Sequence, residues 1–81
     1  MKDEEIEDRI QALVDEEHRL REQLASGEIS AAEEHARLAD AEAALDRMWD
    51  LLRQRRALRE FDADPDQAKP RPVEEVEGYL Q

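Results

Sequence analysis

The chain has 81 residues, no cysteine, 43% charged residues and a formal net charge of −11. That balance excludes disulfide stabilisation and opposes a whole-molecule attraction to nucleic acid or to an anionic membrane. A chain this short buries a limited core, and small domains often add a partner subunit.

The opening residues, Met1-Lys2-Asp3-Glu4-Glu5, are acidic where a secretory signal would be basic, and no apolar run follows that could span a bilayer. A soluble, cytoplasmic protein without a membrane partner is the expectation. Ala, Glu, Lys, Leu and Arg exceed half of the residues, a composition of long helices. The charge is uneven: residues 1–46 hold 5 basic and 15 acidic groups, residues 47–59 hold 5 and 1, and residues 60–81 hold 2 and 7.

From Asp3 to Ala25, Ile6, Ile10, Leu13, Leu20 and Leu24 recur at helical spacing, with Val14 at the edge and Glu17 interrupting the stripe. Acids at Asp3, Glu4 and Glu5 suit the positive end of a helix dipole, and Asp3 is placed to cap it. Glu5/Arg9, Asp15/Arg19 and Glu17/Arg21 are acid-first i,i+4 pairs. Gly27 supplies the left-handed conformation that ends helices, and Ser30 with Glu33 forms a capping box for the next one. So short a turn predicts an antiparallel hairpin, with Ile29 buried at its end.

The second helix is predicted over 31–60. Its stripe is Leu38, Ala41, Leu45, Met48/Trp49 and Leu52, continued by Leu58 and Phe61. Counted from the turn, residue i of the first helix lies beside residue 56 − i of the second, so the longer second helix overshoots. Residues 1–61 form the hairpin. Residues 62–81 form a Pro-containing linker and a short C-terminal segment, in which Val73, Val76, Tyr79 and Leu80 suit a brief helix docked on Leu58 and Phe61 or a disordered tail. The expected fold is all-α: a long, coiled-coil-like antiparallel hairpin with a short C-terminal helix or tail.

Candidate sites are few. His18 and His35 each follow two glutamates, but they share no ligand set under the hairpin register, so neither a metal nor another cofactor is expected. Arg53, Arg55, Arg56 and Arg59 form a basic island that invites a nucleic-acid or anion reading. Cations in the last turns of a helix also complement its dipole, and the register sets Asp3, Glu4, Glu5 and Asp8 opposite. Arg53, with Arg56 and Arg59 as weaker contributors, is therefore expected to serve the hairpin or a subunit contact. Trp49 and Met48 are expected to pack in the core, although a Trp on a bundle seam is also an interface anchor.

One enzyme comparison is available. Ala44-Leu45-Asp46 followed by Leu51-Leu52-Arg53-Gln54-Arg55-Arg56-Ala57-Leu58 resembles the start of an all-helical chorismate mutase. The two halves slip by one residue, the family's upstream active-site Arg falls on Leu38 or Ala39, and its later Lys is missing. A wider resemblance joins Leu13-Val14-Asp15-Glu16-Glu17-His18-Arg19-Leu20, Gly27-Glu28-Ile29-Ser30, Trp49 through Ala57, and Arg71-Pro72-Val73 through Tyr79-Leu80-Gln81. Together they resemble a family of short actinobacterial-type proteins known only as a domain of unknown function. That resemblance covers the whole chain in order. It implies a small helical protein and brings no activity, ligand or site residue.

The expected function is thus a non-enzymatic interaction module, forming a homo-oligomer (a dimer) or docking a helical protein through Leu38, Leu45, Met48, Trp49 and Leu52. An anion or nucleic-acid binder built on Arg53–Arg59 is the first alternative, and a small helical mutase the second. An apolar assembly would tolerate salt, whereas phosphate binding would weaken with it.

Overall fold

Periodic apolar residues bounded by local stop and start signals yield two helices, α1 (Asp3–Ala25) and α2 (Ala31–Glu60), and a 3₁₀ turn at Pro65–Gln67. The structure is a computed structural model that describes residues 1–72 and residue 76. The chain is all-α: α1 and α2 pack as a hairpin with a short C-terminal element, and no strand occurs among the described residues. The molecule measures 51 × 25 × 14 Å.

The helix ends follow from backbone bookkeeping. Gly27 adopts φ 79°, and the Gly27 and Glu28 amides donate back to Leu24 (3.1 Å) and Gln23 (2.9 Å), closing α1 with two reversed bonds. Ser30 accepts from the Glu33 amide at 3.1 Å while its own amide donates to Glu33 at 3.3 Å, opening α2 with the expected box. The end of α2 repeats the α1 device without a glycine. Asp62 takes φ 55°, and the Asp62 and Ala63 amides donate to Arg59 (3.1 Å) and Leu58 (2.8 Å). The start of α1 departs from expectation. Lys2 is the capping position, with its amide donating to Glu5 at 3.0 Å, and Asp3 is the first helical residue. The Asp3 carboxylate faces α2 instead.

Ile6, Ile10, Leu51 and Leu52 form the core, with Val14, Leu45, Met48 and Ala68 packed against it. Leu13, Leu20 and Ala41 are also buried. Removing each such Leu or Ile from water contributes about 2 kcal/mol. Ile29, Leu24, Leu38 and Leu58 are half-buried. Two aromatic expectations fail. Trp49 is 45% exposed rather than in the core, and Phe61, the C-cap of α2, is 83% exposed rather than part of the stripe.

Beyond Asp62 the chain doubles back along α2. Pro65 and Asp66 meet Arg55, Lys69 meets Gln54, and Arg71 meets Asp50 and Arg47. This strap covers a second side of α2, where Asp50, which does not continue the stripe that faces α1, is buried against Arg71. Val76 is helical and buried, with its amide donating to Pro72 at 3.2 Å. Val73, Tyr79 and Leu80, the rest of the expected C-terminal helix, lie outside the described residues.

The two left-handed positions predict opposite responses. A Cβ on Gly27 would meet nothing within 4 Å, so Gly27→Ala carries only backbone strain. It should cost about 1 kcal/mol and lower the Tm by roughly 4–8 °C. Asp62→Gly relieves that strain and should raise the Tm by a few degrees. Thermal unfolding followed by circular dichroism checks both signs.

Candidate functional site

The basic island divides on folding. Arg55 is 4% exposed, Arg59 turns back toward α1, and Arg53 and Arg56 remain at the surface. The division follows from helical geometry. Arg55 and Arg59 continue the spacing of Ala41, Leu45, Met48 and Leu52, and Asp3 begins the matching series Asp3, Ile6, Ile10 and Leu13. The last layer of the apolar seam is therefore ionic.

Arg55 occupies that layer with its Nε and Nη1 committed. Its Nε donates to Asp3 Oδ1, and its Nη1 donates to Asp66 Oδ1 at 2.9 Å and to the Pro65 carbonyl at 3.1 Å. Arg59 Nη2 reaches Asp3 Oδ1 at 2.6 Å, and Lys2 Nζ reaches Asp66 Oδ2 at 2.8 Å. A buried guanidinium needs such neutralisation, because removing a charge from water is otherwise prohibitive. Three chain segments close on one side chain: the start of α1, the end of α2 and the strap.

The electrostatics agree with the geometry. Hydrogen bonds from Arg59 and then Arg55 hold the Asp3 carboxyl at a pKa of about 2, and bonds from Lys2 and then Arg55 do the same for Asp66. Asp3 and then Asp66 push Arg55 further up from its already high value.

A second polar cluster holds the strap lower down. Asp50 is 3% exposed and meets Arg71 Nε at 3.1 Å and Gln54 Nε2 at 2.9 Å. Gln54 also donates to the Lys69 carbonyl at 2.8 Å, and Arg47 donates to the Arg71 carbonyl at 3.1 Å. Between α2 and the strap runs a groove of about 510 Å³ bordered by Arg53, Gln54, Leu58, Gln67, Ala68 and Arg71. Of its polar borders, Gln54 and Arg71 hold the strap.

The expected interaction face is only partly on the surface. Leu52 is 2% exposed and belongs to the hairpin core, Leu38, Leu45 and Met48 are half-buried, and Trp49 is exposed. His18 and His35 are both exposed, and among the described residues no three His, Cys, Asp or Glu side chains are grouped to hold a metal. No helix among the described residues is long and apolar enough to cross a membrane.

Asp3 does meet the basic island, but through Arg55 and Arg59, whereas the 56 − i count had set Arg53 opposite it. The register runs two residues further at this end of the hairpin. Two positions along a helix turn a side chain by about 200°, so that slip exchanges an outward arginine for an inward one. The signal that identifies Arg55 is its place three residues after Leu52 in the seam. The partners Asp66 and Arg71 carry no comparable signal, because they arrive through a strap of irregular backbone.

Fold and junction define a small helical-hairpin protein closed at its open end by a buried, ion-paired arginine. The chain belongs to the family described as Protein of unknown function (DUF2630), which matches residues 2–81. It is similar to Uncharacterized protein Rv0898c of Mycobacterium tuberculosis and Uncharacterized protein Mb0922c of Mycobacterium bovis. Each is 54% identical over 70 residues, spanning 86% of this chain and 80% of the relative. No solved structure matches the chain.

The junction predicts a specific acid response. The folded pKa of about 2 at Asp3 and Asp66 lies below the ordinary aspartate value, so their contribution is complete above about pH 4. It is lost as the pH falls toward 2. Urea midpoints measured across this range should fall in the wild type and fall less in Asp3→Asn. At neutral pH Arg55→Ala should lower the Tm by on the order of 10 °C, while Arg53→Ala moves it by a degree or two.

Proposed function

We propose that this protein is a non-enzymatic helical interaction module that self-associates through the side of α2 bearing Trp49, flanked by Leu38 and Leu45. The observation that carries the proposal is the position of Trp49, 45% exposed near the middle of a 30-residue helix. Leu38, Leu45 and Trp49 are separated by seven and four residues and so share one side of that helix, where both leucines are half-buried. An exposed Trp flanked by aliphatic side chains is the usual composition of an interface anchor. Two helices shield each other on one side only, and a second hairpin would cover the rest as a four-helix bundle.

The basic island supports the anion-binding alternative less after folding. Arg55 and Arg59 are occupied by internal carboxylates, and the chain around them is strongly acidic.

Light scattering coupled to gel filtration, at micromolar concentration and in low and high salt, tests the proposal. A mass above one chain, retained in high salt and reduced to one chain by Trp49→Glu with unchanged helicity, is the expected result. A single-chain mass throughout, with Trp49 fluorescence the same at every concentration, overturns it.

A further inference from the structure

Four charged residues around Trp49 have an order that the hairpin does not explain. Glu42 and Asp46 precede Trp49 by seven and three residues, and Arg53 and Arg56 follow it by four and seven. At helical spacing all four fall on the same side of α2 as Trp49. Glu42, Arg53 and Arg56 are exposed and Asp46 is half-buried. Among the described residues the ion pairs draw on other side chains: the junction uses Arg55 and Arg59, and the strap uses Asp50 and Arg71. One side of α2 thus presents acid, tryptophan and base in sequence over 15 residues, a rise of about 21 Å.

Such an order is complementary to its own reverse. We propose that the partner of this face is a second copy of the chain, with the two α2 helices antiparallel across a two-fold axis beside Trp49. The proposal rests on the self-association proposed above and adds its geometry. The axis sets Trp49 against the partner's Trp49, Asp46 against the partner's Arg53, and Glu42 against the partner's Arg56. Reciprocity is the mark of a two-fold interface, in which every contact occurs twice. A parallel pairing would place acid on acid and base on base, so the charges select the direction while the Trp49 contact supplies the apolar centre. The surface arginines Arg53 and Arg56, unused by the hairpin, acquire a role in that arrangement.

A charge-swap mixing experiment on the full chain tests it. One variant carries Glu42→Arg and Asp46→Arg, and the other carries Arg53→Glu and Arg56→Glu. Circular dichroism establishes that each folds. Alone, each variant should raise the dimer dissociation constant by about tenfold or more, because its pairings become like-charged. An equimolar mixture should recover a dimer within about threefold of the wild-type constant, and it should contain one chain of each kind by native mass spectrometry. If the wild type is dimeric and each variant dimerises alone as tightly as the wild type, the antiparallel arrangement is wrong and self-association stands. If the wild type is monomeric, both proposals fall together.

Discussion

A guanidinium buried at the end of an otherwise apolar seam constrains everything around it. Arg55 cannot lose its proton, and it is shielded from water, so its neighbours must supply both charge and acceptors where it sits. Asp3 supplies them from α1, and Asp66 with the Pro65 carbonyl supplies them from the strap. Neither source is adjacent in sequence to α2. The start of α1 and the strap that follows α2 both converge on this one side chain.

That requirement organises the rest of α2. The side facing α1 holds the apolar stripe and, at its end, Arg55 and Arg59. The side facing the strap holds Asp50, Gln54 and Arg47, with Asp50 buried against Arg71. Among the described residues, neither α1 nor the strap covers a third side, which carries the exposed Trp49. Buried ion pairs seldom add much over a well-packed apolar replacement, but they are costly to break singly. The junction therefore acts mainly on specificity. It fixes which residues of the two helices meet and holds the strap to the hairpin.

Much of the fold was legible because local signals did not compete with tertiary ones. Gly27, Ser30 and Glu33 close and open the helices through hydrogen bonds within a few residues, and the structure forms those bonds. The site was less legible, for reasons that can be named. Register counted from a turn is good to about a residue or two, while the choice between Arg53 and Arg55 changes with two. Hydrophobicity alone places Trp49 in the core, whereas its position at the edge of the stripe leaves it half outside. Asp62 in a left-handed conformation and the strap that follows depend on partners along α2, and no periodicity announces them.

Asp3 and Arg55 act as one unit across the hairpin. A double-mutant cycle with Asp3→Ala and Arg55→Met, followed by urea unfolding at neutral pH and low salt, measures that directly. Strong non-additivity is expected: each single change deprives the other charge of one partner, with Arg59 still on Asp3 and Asp66 still on Arg55, and the double variant loses less than the two losses combined. Additive losses, or an Arg55→Met variant as stable as the wild type, would contradict it.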